Sequence, residues 1–579
     1  MTWTQVYDPL GHWWLSTLLA ALPIVVLLGL LAGLKVRPHL CAIAGAATAV
    51  LVAMIVFQMP ALLAVSSFFY GAAFGLLKIV WIVIAAVFLY DISVETGQFE
   101  IMKQSVAAIT PDRRLQLLLV AFCFGAFIEG CAGFGAPVAI AGAFMIGLGF
   151  KPFQAAALNL IANTSPVAWG AIGTPVHTLA AVTALNESDL NAMIGRILPI
   201  TAVVVPIWLV RSMVSWKETL QVFPAILVVG GSFAATQWFW ANYMDSNLVD
   251  ISAGIVSLVV TMLFLRVWQP KKIWRFPDEA TVNASEASNS GKHDIRESRI
   301  SLHYSAGQTA KAWMPFLILS IFVLCWGLPS IKNSLNEATT PSFKVVMADG
   351  NPRPGPAGWD WPWLHGKVSR TMPVAAKPTP EAARFDFNWL TATGTGCFLA
   401  AILAGLLLGL SFGRMFGILG KTFVRLRFAI IAMTCMLGIG YVTRYSGMDA
   451  VLGLAFTRTG WLFPFFGAYI GWLGVALTGS DTSSNALFGN LQRITAQQLH
   501  LSPILMCATN SAGGVMGKMV DAQSICIATA ATNQVGNEGS IFRFLFWHSV
   551  ALAAIVGIIV MLYAYVFPQY IPNGLNFIR

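Results

Sequence analysis

Residues 479–490 read GSDTSSNALFGN, directly after WLFPFFGAYIGWLGVALT at 461–478. A chain that suits lipid as far as Thr478 then sets Ser480, Asp481, Thr482, Ser483, Ser484 and Asn485 in a row. An unpaired polar group in hydrocarbon costs several kcal/mol, so irregular polar chain at that depth persists only where protein or a water-filled cavity supplies partners. The stretch therefore reads as the tip of a hairpin that lines a site.

The rest of the chain agrees with a membrane setting. Of 579 residues, 57% are hydrophobic and 10% charged, whereas soluble domains carry roughly a quarter charged residues. Apolar runs of about 20 residues recur, each long enough to cross a bilayer as a helix. Twelve spans are expected near 15–34, 40–58, 68–90, 152–183, 195–212, 219–238, 250–267, 312–330, 389–412, 427–443, 503–533 and 544–567. The stretches near 115–149 and 461–492 do not fit as simple spans. No basic region precedes the first apolar run, the first lysine being Lys35, so no cleaved signal peptide is expected.

Lys and Arg concentrate in turns near Lys35–Arg37, Lys103–Arg114, Arg211–Lys217, Arg266–Arg275 and Arg414–Arg427, while the turns at Glu187–Asp189 and Asp245–Asp250 are acidic. Cationic short loops stay cytoplasmic. The pattern closes only if 115–149 enters and leaves from the cytoplasm and 461–492 from outside. Both are then re-entrant hairpins, and both termini lie outside. The net charge of +10 is topology and implies no nucleic-acid partner. The expected fold is an all-α polytopic membrane protein in three parts. Residues 1–238 form a first half, 239–311 add a span and a basic cytoplasmic linker, and 312–579 form a second half with an external Pro-rich loop at 331–388.

A repeat sits in the polar segments. GAFIEGCAGFGAPVAI (125–140) precedes NTSPVAWGAIGTPV (163–176), and GVALTGSDTSSNALFG (474–489) precedes NSAGGVMGKMVDAQ (510–523). Aligning Asn163 with Asn510 pairs Thr164 with Ser511 and Gly170 with Gly517. Pro166, Gly170, Gly173 and Pro175 should break the first span, and Gly513, Gly514 and Gly517 loosen the second. Inverted repeats with discontinuous helices characterise secondary transporters, whose sites lie between the repeats. Free N–H groups and the positive end of a broken helix suit a carboxylate.

FIEGCAGFGAPVAI, GSDTSSNALFG, QSICIA, TGQF and ITPDRRLQ together resemble the lactate permease family. The resemblance runs from WLS near residue 14 to the last span and weakens across both long loops. It implies a proton symporter of a small 2-hydroxy monocarboxylate: L-lactate, with D-lactate or glycolate. Its motifs match at Gly133, Gly135, Asn163, Ser480, Thr482, Ser483, Ser484, Asn485, Asn510, Gln523 and Ser524, and these, with Thr164, Ser165 and Ser511 of the broken spans, are the candidate substrate contacts. Phe134 falls inside the same motif. Cys131, His177, Arg444, Asp521 and Ala522 depart from the family's pattern.

Glu129, Asp481 and Asp521 are the candidate proton carriers, since an ionisable residue inside an apolar segment marks function by default. Each has a structural alternative. Glu129 could cap hairpin backbone, and Asp481 could cap a helix starting at Thr482. Asp521 could pair with Lys518, which is otherwise a candidate anion contact. Arg444 is expected to snorkel to the interface, and His177 to be hydrogen-bonded. Lys78 should pair with a carboxylate. The eight cysteines and eight histidines show no metal-ligand spacing, and no nucleophile motif or Walker A sequence occurs. No cofactor, metal or enzymatic role is expected, and a sodium-coupled carboxylate transporter is the alternative function.

Overall fold

The computed structural model describes residues 2–572 except 31–35, 108, 134, 277–303, 328–330, 332–333, 336–358, 375–376, 386, 533 and 535–536. Phe134, Lys35, most of the 269–311 linker and much of the 331–388 loop thus lie outside the described residues, as do the side chains of Lys78 and Gln523.

The described chain is almost entirely helical. Seven helices among these residues are long and apolar enough to cross a membrane. Several run past the expected spans. The runs at 68–90, 195–212 and 427–443 are parts of continuous helical segments at Ala61–Glu95, Glu187–Met213 and Phe412–Ser446. Lipid-like composition marks only the middle of such a segment, while backbone hydrogen bonding carries it into polar ends. The run at 219–238 is displaced to Phe223–Tyr243. Ahead of it, Trp216–Gln221 forms a separate turn, started by a Ser215–Glu218 capping box.

The two polar hairpins are each a pair of helices joined by a tight break. Gly125–Ala132 ends at Gly133, with φ 58 and ψ −151, and Ala136–Gly147 begins after left-handed Gly135. Phe463–Thr478 ends at left-handed Gly479, and Asp481–Gln498 follows. Both feet of the first hairpin meet the 272–276 segment. Arg114, at one foot of the first, donates to the Lys272 carbonyl at 2.9 Å. Phe150, past the other foot, meets Phe276 edge-on at 5.3 Å. In the second, the Trp461 carbonyl accepts from Tyr565 at 2.9 Å, and Gln498 donates to the Pro373 carbonyl at 3.0 Å.

Both spans that follow are broken. Pro152–Ala162 gives way to irregular chain, and Ala171, Ile172 and Gly173 all have positive φ before the chain continues to Thr183. Pro503–Gly517 and Ala522–Ala531 flank the break at 518–521. In the Asn163–Asn510 alignment, Ala171–Gly173 fall on Lys518–Val520, so the two breaks coincide.

The all-α expectation needs one correction. The Pro-rich segment adds a small β-structure: Trp3–Thr4 pairs in parallel with the Val368–Arg370 strand, which pairs with Thr379–Pro380, and Trp359–Asp360 pairs with Arg384–Phe385. Proline and its preceding residue favour extended backbone, and short strands with edge prolines result. Gln5 then donates to the carbonyls of Arg444 and Tyr445 at 2.8 and 3.0 Å, bringing the N-terminus and this loop to one end.

At the opposite end lies a buried knot from ITPDRRLQ. Asp112 caps the helix beginning at Arg113 and takes the Arg114 guanidinium at 2.7 and 3.1 Å. Arg114 also reaches the carbonyls of Glu218 and Lys272. Charged turns that sequence grouped on one side thus meet in space.

Candidate functional site

Two hairpin tips and two helix breaks converge on a cavity of about 210 Å³. Glu129 and Gly133 reach it from the first hairpin, Gly479 to Ser483 from the second, and Gly170, Ala171, Pro175 and Lys518 from the breaks. An apolar wall of Leu27, Val167, Phe428, Met433 and Met436 faces them. Among the described residues, the mix of the Lys518 ammonium, His39, acids, hydroxyls, backbone turns and apolar side chains suits a small amphipathic anion, and the volume lies below the roughly 300–1,000 Å³ of drug-sized sites.

Local geometry explains how the polar groups are held. Gly133 adopts a backbone conformation that only glycine takes readily. Ala171 packs directly against it, its Cβ standing 2.9 Å from any Cβ at that position. In the second hairpin the helix cap is Ser480, whose side chain accepts from the Ser483 amide at 3.3 Å. This corrects the expectation of a cap at Asp481. With Ser480 in that place, the buried Asp481 carboxylate is free to accept from Ser511 Oγ at 2.5 Å and Asn485 Nδ2 at 3.3 Å.

Lys518 is buried and donates from Nζ to the Gly479 carbonyl at 2.5 Å, with Asp521 Oδ2 at 3.6 Å. The ion-pair reading of Lys518 and Asp521 thus has its geometry, although a long one. Asp521 Oδ1 caps the helix Ala522–Ala531 by accepting the Ser524 amide at 2.7 Å. An ammonium has three donors, so Lys518 retains capacity for an anion in the cavity.

The candidate residues separate into three groups. Glu129, Gly133, Ser480, Asp481, Thr482, Ser483 and Lys518 line the cavity. Ser484, Asn485, Asn510 and Ser511 instead bind the second hairpin to its neighbours. Asn510 Nδ2 donates to Asn485 Oδ1 at 2.9 Å, and Ser484 Oγ donates to the Gly471 carbonyl at 3.2 Å. Gly135, Asn163, Thr164, Ser165, Asp521 and Ser524 stand behind the lining. Asn163 lies beside Glu129, and neither end of its amide finds a protein partner. Ser165 Oγ, Ser524 Oγ, Asp481 Oδ1 and Glu129 Oε2 are likewise buried and unpartnered.

With this geometry in view, comparison with known proteins is decisive. The L-lactate permease family matches residues 16–567. This chain belongs to the L-lactate permease family. The glycolate permease GlcA of Escherichia coli K12 is 44% identical over 98% of this chain and 99% of its own length. The L-lactate permease of the same strain is 43% identical over 98% of this chain and all of its own length. The L-lactate permease of Bacillus subtilis 168 is 40% identical over 99% of this chain, again along its full length. The chain is therefore a multi-pass membrane permease.

Two features of this permease escaped sequence reading. Arg444, expected at the interface, is 12% exposed and pairs with Glu381 at 3.1 Å. Its guanidinium also reaches the carbonyls of Ala181 and Val182 at 3.4 and 3.3 Å. The Pro-rich loop folds back and delivers the carboxylate, which no local pattern announces. Glu381 also pairs with Arg370 at 2.6 Å. Burial opposes its ionisation, but the Arg444 and Arg370 guanidiniums hold its carboxyl below the usual glutamate value. The second feature is Asp250, which reads as an acid in an external turn but is fully buried at the start of Val249–Val267. His177 is hydrogen-bonded as expected, to Glu187 and Asn247, each at 2.9 Å.

Proposed function

We propose that this permease carries L-lactate and glycolate, with D-lactate as a further substrate, across the cytoplasmic (inner) membrane by symport with a proton. The observation that carries the reading is the convergence of both hairpin tips, both helix breaks, Lys518 and Glu129 on one small cavity. Relatives named as L-lactate and glycolate permeases supply the substrate class. In this reading Lys518, the hydroxyls of Ser480, Thr482 and Ser483, and backbone N–H groups at the breaks take the carboxylate and hydroxyl of the substrate. The apolar wall takes its carbon chain. The unpartnered atoms of Asn163, Ser165 and Ser524 add donors as the site closes, with Gly135, Thr164 and Gln523 supporting them.

Glu129 loads the proton, and Asp481 and Asp521 are the alternative carriers. Neutralising an acid as the anion enters lowers the charge that must cross the bilayer, which favours reorientation of the loaded carrier. Alternating access follows when the hairpin tips and breaks expose the cavity first to one side and then to the other. The proposed topology has twelve spans, two re-entrant hairpins in an inverted repeat, and both termini outside. The domain organisation is that of two halves, 1–238 and 312–579, around an intervening 239–311 segment. The contacts of both feet of the first hairpin with the 272–276 segment support it.

The test is uptake of radiolabelled L-lactate and glycolate into proteoliposomes, with pH and sodium gradients imposed separately. Accumulation driven by the pH gradient alone is expected. Accumulation driven only by sodium would overturn the proton assignment, and no uptake of either acid would overturn the substrate assignment.

A further inference from the structure

We infer that Asp250 is a second proton-carrying acid, paired with Glu129 behind the cavity. This rests on the proton-symport reading and adds to it a residue that lines no part of the cavity.

Asp250 is fully buried, and neither of its carboxyl oxygens accepts a hydrogen bond. The Gln237 side chain and the Trp169 backbone amide face it as donors at the margin of hydrogen-bond geometry. Its charged neighbour is another acid. Helix Gly125–Ala132 crosses Val249–Val267 so closely that a Cβ on Gly130 would stand 3.0 Å from Asp250 Cβ and 2.8 Å from the Ile251 nitrogen. A Cβ on Gly254, one turn on, would stand 2.8 Å from the Phe127 nitrogen. This crossing sets Asp250 against Gly130, the chain neighbour of Glu129. Glu129 Oε1 lies directly against Gly170, the residue after Trp169, whose backbone amide faces Asp250, so the two carboxyls flank one short segment within electrostatic range.

Among the described residues the surroundings hold few other charges. Helix Phe223–Tyr243 presents Gln237 and the Trp169 segment its backbone amide, while the segment Leu118–Phe124 contains no acid or base other than Cys123. Lys518 and Asp521 act on Glu129 from the second break. His177 and Asp245 lie beyond, on the Asn247 side. Two carboxylates cannot both stay ionised in a dry site without a cation between them, so the pair holds at least one proton.

Glu129 touches the cavity and Asp250 does not, which divides their work. A proton from water on one side binds a carboxylate oxygen of Glu129 as the substrate anion enters, is shared with Asp250 across the helix crossing, and leaves to water on the other side. The loaded pair carries one proton more than the returning pair. Like charges so close keep the second proton from being lost while the first is in transit.

The experiment compares wild type, Asp250→Asn and Asp250→Glu in proteoliposomes, by two readouts. One is lactate–lactate exchange, which needs no net proton movement, and the other is accumulation driven by a pH gradient. Wild type must accumulate, or the symport reading itself fails, separately from this proposal. Asp250→Asn mimics the permanently protonated acid. It is expected to keep exchanging lactate but to lose gradient-driven accumulation at least tenfold, and Asp250→Glu to recover it. Accumulation by Asp250→Asn within twofold of wild type would overturn the proposal. Loss of exchange together with accumulation in a monodisperse, thermally stable Asp250→Asn protein would also overturn it, since that result assigns a structural role.

Discussion

Asn485 donates from Nδ2 to the carbonyl of Pro175 at 3.1 Å, tying the second hairpin to the first broken span. Pro175 lines the cavity, and Asn485 Oδ1 accepts from Asn510 in the second broken span. One amide thus links both halves of the repeat at the site. Removing it takes a donor from the Pro175 carbonyl and leaves the Asn510 amide only Ser484 Oγ at 3.4 Å, at about 1–3 kcal/mol for a buried group left unsatisfied. Asn485→Ala should lower lactate exchange at least tenfold and the melting temperature measurably, as read by transport and by differential scanning fluorimetry. Exchange at the wild-type rate would show that the link is dispensable.

Gly133 turns the first hairpin where a side chain is strained, at φ 58 and ψ −151. Gly133→Ala carries a backbone cost of about 1–3 kcal/mol and a collision with Ala171, 2.9 Å away. The expected outcome is a protein that inserts but exchanges lactate at less than a tenth of the wild-type rate. The neighbouring Cys131→Ala, with no such turn to make, should exchange normally.

Among the described residues, Lys518 is the lysine that lines the cavity. Lys518→Gln is one bond shorter and keeps hydrogen-bonding capacity but removes the charge, so the KM for lactate exchange should rise at least tenfold, or about 1.4 kcal/mol. The maximal rate should fall less. An unchanged KM would mean that the substrate carboxylate is held by backbone N–H groups alone.

Glu381 gives a pH dependence outside the membrane spans. Because Arg444 and Arg370 hold its carboxyl below the usual value of 4.5, its contribution to stability is present above that value. It is lost as pH falls through the lower, folded-state value. Wild type should therefore lose more thermal stability between about pH 5 and pH 3 than Glu381→Gln. At pH 7 the variant should be the less stable by about 3 kcal/mol, the cost of stranding one side of a buried pair.

The parts of this architecture legible from sequence are those with a backbone cause. Pro166 and Gly173 fall where the chain leaves regular helix, and GSDTSSN cannot remain in lipid without partners, so the hairpins and breaks could be read locally, although Pro199 and Pro206 are carried within one continuous helix. What stayed hidden depends on distant chain. Arg444 finds Glu381 only because a Pro-rich loop folds back over the helix end, and Asp250 looks like any acid preceding an apolar run. Its burial beside Glu129 comes from a helix crossing at Gly130 and Gly254, which no periodicity marks. The cap at Ser480 and not Asp481 was one residue away from the expected position, a difference that turns the acid inward.

The most direct test of the central claim is whether lactate and protons move together through the Glu129 site. Proteoliposomes containing a trapped pH indicator are given an inward L-lactate gradient, with no pH gradient and with the membrane potential clamped. With wild type the lumen is expected to acidify as lactate enters, and with Glu129→Gln lactate exchange should persist without acidification. Lactate entry through wild type with no change in internal pH would contradict proton symport, and acidification by Glu129→Gln at the wild-type rate would contradict the role given to Glu129.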